Sequence, residues 1–277
     1  TNLFNARVIT RNGRITTEEA SVIAEAARLY GDGHMMMTTR LTIEVSGIAY
    51  QDIDAFCAHL AKAGLSVGGT GSKVRPVVSC KATTCQYGLY DAYALSDEIH
   101  TRFYQGYRGV SLPHKFKIAT GGCPNNCVKP TLNDLGIVGA RVPQYHIEDC
   151  RSCKKCQMEE ACPIHAAKKN ADGKLEIDAE LCNHCGRCIG KCPFHCNDEG
   201  VDGYKVYVGG RWGKKIAHGQ MLHKIFTDKN EVLDTVEKAI LLFRSAGESG
   251  ERFADTINRI GFANAEKILL SDELLQK

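Results

Sequence analysis

The sequence predicts an α+β protein that carries an inserted, cysteine-rich module, and three observations predict it. Residues 1–75 alternate between helical and strand-like patterns. Residues 147–200 change character and become dense in cysteine. From residue 201 the composition returns to normal, and the last stretch has helical patterns. We therefore expect a first domain at 1–70, a second domain formed by 71–146 and 201–277, and the inserted module at 147–200.

The first 75 residues predict two helices and one long strand. Thr16 and Glu19 form a capping box before EEASVIAEAARLY, and this helix is expected to end at Gly31. The stretch HMMMTTRLTIEVSGI alternates in polarity, which predicts one continuous strand with Arg40 among hydroxyls on its polar face. The second helix, YQDIDAFCAHLAKAG, has an apolar stripe that consists of Ile53, Phe56, Cys57 and Leu60. Cys57 is therefore expected to pack in the core.

Two further elements are predicted before the module. QYGLYDAYALSDEIHTRFYQ has helical periodicity. LPHKFKIAT predicts a strand that leads into GGCPNNC. Its period of two places Lys115 and Lys117 side by side on one face, with Phe116 and Ile118 on the other. The strand therefore presents two ammonium groups in one direction.

Composition and charge exclude several classes of function. The chain of 277 residues is 43% hydrophobic and 24% charged, which is ordinary for a soluble globular protein. Its net charge of +3 is too small to predict a nucleic-acid or anionic-membrane partner. The printed start does not resemble a signal peptide, and no run approaches the roughly 18 apolar residues of a membrane span. We expect a cytoplasmic protein, in which clustered C-x-x-C spacings are metal sites rather than disulfides.

Two of the three cysteine groups form a tandem pair inside the module. LCNHCGRCIGKCP is C-x2-C-x2-C-x3-C-P, the bacterial ferredoxin run, whose fourth cysteine ligates the other cluster of a two-cluster module. DCRSCKKCQMEEACP shares the first spacings, but five residues separate Cys156 from Cys162. This crossed ligation predicts one 4Fe-4S cluster on Cys150, Cys153, Cys156 and Cys192, and another on Cys182, Cys185, Cys188 and Cys162.

Other interpretations of the tandem pair stay open. The longer spacing between Cys156 and Cys162 is also compatible with a partly degenerate first site. A zinc site is an alternative, although tetrahedral zinc rarely uses a run that ends in proline. Cys196 has no group left to join and is expected to be a bystander.

The third cysteine group is Cys80, Cys85, Cys123 and Cys127. Cys123 and Cys127 are four residues apart, so a helix starting near Pro124 would place their sulfurs on one face. Two pairs from distant segments are how a fold encloses one cubane. The spacing alone predicts a cluster and says nothing about its use.

The segments around this group resemble the sirohaem-dependent sulfite and nitrite reductases. GGCPNNCVKPTLNDLGI is similar to the family's signature from Gly122 to Ile137, although Gly121 replaces the usual Ser, Thr or Val. Four residues rather than the usual five separate Cys80 from Cys85. GDGHMMMTTRLTIEVSGI, VRPVVSC, LPHKFK and VGGRWGKK resemble further family segments. The order of parts resembles most closely the catalytic C subunit of anaerobic sulfite reductase and the dissimilatory sulfite reductase subunits.

The resemblance implies a fold, cofactors and roles for individual residues. It implies a ferredoxin-like half-domain and a sirohaem/4Fe-4S domain with an inserted two-cluster ferredoxin domain, which together hold sirohaem and three 4Fe-4S clusters. Cys127 would bridge its cluster to the sirohaem iron. The residues that would surround the substrate are Arg40, Arg75, Lys115 and Lys117. The other residues that would contact the macrocycle are Thr38, Thr39, Asn125, Gly209, Gly210 and Arg211.

These roles imply a reductase that transfers six electrons to sulfite and produces sulfide. Positive charge in a closed pocket holds a small oxyanion, and lysines with lowered pKa donate protons. Electrons would enter through the ferredoxin clusters from a ferredoxin or from partner subunits, because no dinucleotide-binding G-x-G-x-x-G precedes a clear helix. The chain corresponds to one half of its assimilatory relatives, so we expect a homodimer or a heterodimer with a paralogous half.

Three alternatives remain at this stage. The same site is compatible with reduction of nitrite to ammonia. The chain is also compatible with a non-catalytic electron-transfer subunit that carries three clusters and no active haem. A sulfur-relay or cofactor-assembly protein that uses Cys196 or Cys57 as a reactive thiol is a third class, although neither cysteine has a motif of its own.

Overall fold

The structure, a computed structural model, describes residues 2–276. Its first unit is a three-stranded antiparallel sheet packed with two helices. The elements are β1 (Leu3–Val8), α1 (Thr17–Tyr30), β2 (Met35–Met37), β3 (Ile43–Ala49) and α2 (Ile53–Ala61). The strand order is β1-β3-β2, so β3 is central. Side chains from β3 and both helices close a core of their own, which includes Ile23, Val45, Phe56 and Leu60.

Both helices of this unit follow their predicted patterns. The Thr16 hydroxyl accepts the Glu19 N–H at 3.1 Å, and the Glu19 carboxylate accepts the Thr16 N–H at 2.8 Å, which confirms the capping box. Helix α1 ends before Gly31. In α2, Phe56 and Leu60 are fully buried, and Cys57 packs against the same core. The position of Cys57 as a core packer is therefore confirmed.

The predicted continuous strand over HMMMTTRLTIEVSGI is wrong, because the chain reverses inside it. Strands β2 and β3 form an antiparallel hairpin in which Met35 pairs with Val45. The Thr38 N–H donates to the Thr42 carbonyl oxygen at 2.9 Å, and the two hydroxyls lie 2.7 Å apart. Threonine hydroxyls offer the backbone an alternative to a strand ladder, and Leu41 takes up a left-handed conformation with φ of 59°. Arg40 therefore lies at the tip of a turn rather than on a strand face.

The second unit begins with β4 (Val78–Ser79), α3 (Ala92–Ile99), β5 (Ile118–Gly121) and β6 (Leu135–Gln144). A π-helical turn, His100–Gln105, continues α3. The predicted helix is confirmed from Ala92 onward, where Leu95, Ile99 and Phe103 are buried, but residues 86–91 of the predicted stretch precede it. The strand predicted over LPHKFKIAT is shorter than expected, because only Ile118–Gly121 forms a continuous ladder. The predicted alternation holds, because Phe116 and Ile118 are fully buried and the two flanking lysines are not.

The remaining elements are α4 (Gln157–Ala161), β7 (Ala167–Lys169), β8 (Leu175–Ile177), β9 (Glu199–Val208), β10 (Gln220–Phe226), α5 (Lys229–Ala246), α6 (Phe253–Ile260) and α7 (Phe262–Leu270). The large sheet has the order β10-β9-β6-β5-β4. Strands β6 and β9 pair along their whole length, from Leu135 with Val208 to Gln144 with Glu199. The chain therefore leaves the sheet at Gln144 and returns beside it at Glu199. Residues 145–198, which include most of the module predicted at 147–200, are inserted at the tip of this ladder.

The core of the second unit lies between the large sheet and its helices. Phe116, Phe243 and Phe253 are mutually in contact, with ring centroids 5.2–5.9 Å apart. Apolar residues of β6 and β9 pack against the same cluster. A strand that is buried on both faces has a nearly continuous run of apolar residues, and LGIV in β6 is such a run. Within residues 2–276, no helix combines the length and apolar character needed to cross a membrane.

Candidate metal centres and basic cluster

Cys80 and Cys123 lie at one edge of the large sheet. Cys80 directly follows β4, and Cys123 comes two residues after β5. The two strands are parallel, with Val78 paired to Ala119. The Cys80 N–H also donates to the Thr120 carbonyl oxygen at 2.9 Å. Because the carboxyl ends of adjacent parallel strands meet at the same edge, segments distant in sequence bring these two cysteines together.

Cys85 reaches the same place through a tight turn that a glycine makes possible. A 3₁₀ turn at Ala82–Thr84 carries Cys85. A Cβ atom at Gly122 would lie 1.9 Å from the Ala82 Cβ, which no side chain permits. Glycine at this position therefore allows the turn to pack directly against the end of β5.

Cys127 is carried by a series of turns, so the predicted helix near Pro124 is wrong. Asn126 and Lys129 have left-handed conformations with φ of 56° and 50°. The Asn126 N–H donates to the Cys123 carbonyl oxygen at 3.3 Å, which closes a turn rather than a helical step. Left-handed L-residues occur singly and interrupt α-helices. Cys123 and Cys127 are therefore not stacked by a helix.

The Cys123 thiol lies close to the other three thiols of this group. Burial raises the pKa of the Cys123 thiol, and the neighbouring thiols of Cys80, Cys127 and Cys85 raise it further. Three of the four are partly buried, whereas Cys127 is exposed. All 14 cysteines of the chain lie in the described residues, and Cys127 is the one among them that is exposed. Its sulfur is placed to contact a further group outside the set of four.

The cysteines of the module surround two separate cavities. One is lined by four cysteines predicted as one ligand set and by Cys196: Cys150, Cys153, Cys156, Cys192 and Cys196. The other is lined by the second predicted set: Cys162, Cys182, Cys185 and Cys188. Each cavity thus takes three cysteines from one run and the last from the other. This is the crossed arrangement that the spacing predicts, and the ligand assignment itself stays a prediction.

The cysteine side chains around each cavity are soft donors. Four thiolates are the donor set of a 4Fe-4S cluster. The donor chemistry therefore fits the predicted clusters.

The module contains an internal repeat, which shows in the backbone conformation as well as in the spacing of the cysteines. Each run ends in Cys-Pro, an apolar residue and His, and the two histidines, His165 and His195, have left-handed φ of 56° and 62°. Inside the first turns of the runs, Ser152 and His184 occupy equivalent positions with φ of 49° and 58°. Sequence reasoning found the cysteines of this repeat but missed the histidines. Their signal was the recurrence of C-P-x-H.

One run of the module is attached to the large sheet. The Arg141 N–H of β6 donates to the His184 carbonyl oxygen at 2.8 Å. The Lys205 ammonium of β9 donates to the Asn183 carbonyl oxygen at 3.1 Å. The Arg187 guanidinium lies 4.8 Å from the centre of the Tyr87 ring, two residues after Cys85. The cysteines at 182, 185 and 188 therefore lie on the side of the module that faces the first cysteine group.

Six basic side chains of the second unit and the hairpin tip form what we call the basic cluster: Arg40, Arg75, Lys115, Lys117, Arg211 and Arg252. They lie close to one another: the pKa of Lys115 is lowered first by burial and then by the positive charges of Arg252, Arg75 and Arg211. Two carboxylates pair within it, Asp134 with Arg252 and Asp255 with Arg211. The cluster therefore keeps an excess of positive charge.

Arg40 belongs to the basic cluster, but most of the donors of its guanidinium are occupied by hydrogen bonds within the protein. It donates to the Pro76 carbonyl oxygen at 2.7 Å and to the Ile118 carbonyl oxygen at 3.0 Å. A third contact goes to the Asn133 side-chain oxygen at 2.9 Å. Desolvation lowers the pKa of Arg40 to about 10. Arg40 thus ties the hairpin tip to the second unit, which is a different placement from the predicted open strand face.

Lys115 and Lys117 are the side chains best placed to act on an anion. The pKa of Lys117 falls to about 8, mainly because the side chain is half-buried and then because Arg40 and Arg252 are positively charged. The pKa of Lys115 is also lowered, first by burial and then by Arg252 and Arg75. Neither ammonium has a carboxylate within salt-bridge distance among the described residues. Both are therefore free to bind an anion and to donate a proton.

Sequence reasoning missed Arg252 and the role of Asp134. Arg252 donates to both oxygens of the Asp134 carboxylate at 2.9 Å, and the Asp134 carboxylate also accepts the Lys117 N–H at 2.9 Å. Asp134 is the acidic residue of the segment from Gly122 to Ile137, so the sequence indicated its position but not its partner. Nothing in the sequence around Arg252 pointed to it.

The other predicted cofactor contacts lie around the same segment. The Gly209 N–H donates to the Asp134 carbonyl oxygen at 2.9 Å, and a Cβ at Gly210 would lie 2.3 Å from the Thr131 carbonyl oxygen. Asn125 is exposed and its N–H lies against the Cys123 thiol. In the hairpin turn, Thr38 is half-buried and Thr39 is exposed. Arg211 donates to Asp255 at 2.7 and 2.8 Å.

Two family models match the chain. The model described as "Nitrite and sulphite reductase 4Fe-4S domain" matches residues 70–276. The model described as "Nitrite/Sulfite reductase ferredoxin-like half domain" matches residues 1–63. Together they cover nearly the whole chain.

Individual proteins are similar to the chain over most or part of its length. A coenzyme F420-dependent sulfite reductase of Methanocaldococcus jannaschii is 31% identical over 248 residues, which are 88% of this chain and 38% of that protein. The C subunit of the anaerobic sulfite reductase of Salmonella typhimurium is 31% identical over 57% of this chain and 50% of its own. The chain thus spans half or less of these two relatives. The crystal structure of dissimilatory sulfite reductase I has the same fold, with a TM-score of 0.76, 21% identity, and coverage of 96% of this chain and 69% of that one.

Proposed function

This chain belongs to the nitrite and sulphite reductase family, and we propose that it catalyses the six-electron reduction of sulfite to sulfide with sirohaem and 4Fe-4S clusters. One observation carries the proposal. The exposed Cys127 sulfur and the two free lysines, Lys115 and Lys117, lie on segments that share the Asp134 loop. A redox centre and an anion-binding charge are thereby supported by one structural unit.

The residues present fit both cofactors. Four neighbouring cysteines, three of them partly buried and one exposed, fit the donor set of a cluster that has one accessible ligand. Sirohaem is a polycarboxylated macrocycle, so it needs positive charge and free donors around it. The basic cluster has more cations than carboxylates, and the buried Nε atoms of Arg75, Arg211 and Arg252 have no hydrogen-bond partner among the described residues. Bound there, sirohaem supplies the iron at which an oxyanion is reduced.

The lysines of this chain do two things in the proposed reaction. Their positive charges hold sulfite, which is a small oxyanion, in a site where electrostatic attraction is stronger than in water. Oxygen leaves sulfite as water, so the reaction consumes protons at the substrate. The pKa of Lys117, about 8, keeps it protonated at neutral pH yet able to release its proton readily.

The proposed route of electrons follows the contacts of the module. We infer that the cluster on Cys162, Cys182, Cys185 and Cys188 passes electrons to the first cysteine group, because Arg187, which lines its cavity, contacts Tyr87 next to that group. The other cluster of the module is then the point of entry for a ferredoxin or a partner subunit. Three basic side chains, Arg151, Lys155 and Lys169, line its cavity. Stepwise delivery by one-electron centres suits a multi-electron reduction.

We also propose that two such halves are needed for a complete site. The Asp134 loop would then still support both roles, but its cysteine segment would face the sirohaem of its own subunit and its basic residues would face the sirohaem of the other. Mixed dimers of an Arg75→Ala chain with a Cys123→Ala chain test this. Recovery of activity in the mixture supports shared sites, and its absence contradicts them.

An anaerobic absorption spectrum with matched iron analysis tests the function. Three cubanes and one haem give about 13 irons per chain. Chlorin-type bands that shift when sulfite is added to the reduced protein would support the proposal. A cluster shoulder alone with about 12 irons, in protein made where sirohaem is available, would contradict it and leave an electron-transfer subunit. Turnover rates on sulfite and nitrite then decide between the two substrates.

A further inference from the structure

Among residues 2–276, two lysines are buried, and one of these two has a carboxylate partner. Lys205 is 5% exposed and Lys238 is 6% exposed. The Lys238 ammonium forms an ion pair with Asp272 at 2.7 Å. Within residues 2–276, no carboxylate lies within salt-bridge distance of Lys205. The hydrogen bond that its ammonium makes goes to the Asn183 carbonyl oxygen at 3.1 Å.

A buried ammonium without a counter-charge is unfavourable, because burial removes its hydration and a carbonyl dipole only partly replaces it. Burial lowers the pKa of Lys205, and the thiols of Cys182 and Cys185 oppose that effect. The Lys205 ammonium lies directly against the loop between Cys182 and Cys185, because it donates to the Asn183 carbonyl oxygen. The position of Lys205 therefore points to an anionic group at the loop that carries them.

The backbone fixes Lys205 against this loop. Lys205 lies on β9 and pairs with Val138 of β6. Three residues further along β6, the Arg141 N–H donates to the His184 carbonyl oxygen at 2.8 Å. Asn183 and His184 are the two residues between Cys182 and Cys185. The sheet thus holds the ammonium and the loop in one rigid arrangement.

We propose that Lys205 is a fixed positive charge that raises the reduction potential of the cluster held by Cys162, Cys182, Cys185 and Cys188. The inference rests on the proposed function, since it requires that cluster. A 4Fe-4S cluster with four thiolates is anionic, and taking one electron from the donor protein adds one negative charge to it. A buried cation close to the ligands stabilises this reduced form more than the oxidised one.

The consequence is a direction for electron flow inside the module. The cationic residues that line the other cavity belong to an exposed surface, where water screens their charge: Arg151, Lys155 and Lys169. Lys205 is buried and is screened much less. Electrons that enter at the outer cluster would therefore move to the inner cluster at a higher potential, beside the first cysteine group.

A redox titration of the whole protein, followed by electron paramagnetic resonance, tests the inference. Lys205→Gln removes the charge and keeps a donor for the Asn183 carbonyl, whereas Lys205→Arg keeps the charge. Lys191→Gln removes an exposed lysine of the same module as a matched control. We expect the Gln variant to lower the equilibrium constant for reduction of one cluster about tenfold, which is about 59 mV for a one-electron couple. The Arg variant and the Lys191 control should stay close to the parent protein.

The outcomes separate this inference from the proposed function. Unchanged potentials in a Lys205→Gln protein with full iron content would overturn the role of Lys205 and leave the function intact. Loss of the cluster in the Gln variant but not in the Arg variant would support a requirement for charge. Loss in both would overturn it, because shape rather than charge would then matter. Parent protein without module clusters would contradict the proposed function itself.

Discussion

Arg252 donates through one terminal nitrogen to both carboxylate oxygens of Asp134 at 2.9 Å, and both side chains are almost completely buried. The same carboxylate accepts the backbone N–H of Lys117 at 2.9 Å. These contacts join three parts of the chain at one point: the segment next to the first cysteine group, the residue before α6, and the backbone at Lys117. The pair consequently positions Lys117, the lysine with the more strongly lowered pKa.

Removing one member of this buried pair should be strongly destabilising. Arg252→Met leaves the Asp134 carboxylate buried without its guanidinium, and breaking such a pair costs about 3–5 kcal/mol. Urea unfolding of the anaerobic protein, followed by circular dichroism, measures the loss as a lower midpoint. Arg259→Met is the matched control, because the Arg259 side chain in α6 is 40% exposed, whereas that of Arg252 is 7% exposed, and Arg259 pairs in part with the exposed Glu248. Equal midpoints for the two variants would contradict a structural role for the buried pair.

Anion affinity should weaken above about pH 8. The pKa of Lys117 is about 8, so its ammonium loses its proton as the pH rises through that value and its attraction for an anion disappears. Nitrite suits the measurement, since its charge stays constant over this range. We expect its KM to be flat below the pKa and then to rise by up to about tenfold per pH unit.

The Lys117→Arg variant provides the control for this pH dependence. A guanidinium stays protonated far above neutral pH, so the rise in KM should move to higher pH even if the absolute affinity differs. A profile that is identical in the parent and the Arg variant would assign the titration to another group.

Replacing Arg40 by methionine should lower the stability of the fold, whereas replacing Lys115 by methionine should weaken the binding of sulfite. Arg40→Met leaves the carbonyl oxygens of Pro76 and Ile118 without their donor, and unsatisfied buried groups cost about 1–3 kcal/mol each. We expect a loss of stability in this variant. Lys115→Met should instead fold normally and raise KM for sulfite about tenfold or more, because its ammonium makes no ion pair within the described residues. Unfolding midpoints and KM values, measured on both variants, check the split.

Local patterns were predictable from the sequence because local interactions decide them. The capping box of Thr16 and Glu19 depends on residues three apart, and the alternation of Lys115, Phe116 and Lys117 depends on the pleat alone. The cysteine runs were predictable for a similar reason, since spacing determines which sulfurs meet around a cluster. These features would be found in any chain of this pattern.

Contacts between distant segments were not predictable. Asp134 and Arg252 are 118 residues apart, and no local pattern near Arg252 marks it as a partner. The hairpin at Thr38 and Thr42 was hidden because alternating polarity continues through the turn, and only the hydroxyl contact shows the reversal. Lys205 lies in the strand YKVYV, where nothing distinguishes an inward lysine from a surface one.

The crossed ligation of the module can be tested by iron counting. Cys162→Ala combined with Cys185→Ala should damage one cluster, because both sulfurs line the same cavity. Cys162→Ala combined with Cys153→Ala should damage two clusters, because these sulfurs line different cavities. The first pair should lose up to about four irons and the second up to about eight. Cys196→Ala is the control and should keep all iron, and equal losses for the two pairs would contradict crossing.

The contact between Arg187 and Tyr87 should control transfer from the module to the first cysteine group. The guanidinium lies 4.8 Å from the ring centre, and it connects the loop of Cys185 to the turn after Cys85. Arg187→Gln and Tyr87→Leu should each loosen this contact, since a cation–π pair at an exposed site contributes about 0.5–1 kcal/mol. We expect unchanged iron content with slower reduction of the sirohaem after rapid mixing with dithionite. Dithionite replaces the donor protein, so docking of that protein does not affect the measured rate of sirohaem reduction.

The double variant should be no slower than the slower single variant, because both substitutions remove the same contact. Lys191→Gln should leave the rate unchanged, and parent-like rates in both single variants would mean that electrons reach the first group by another route.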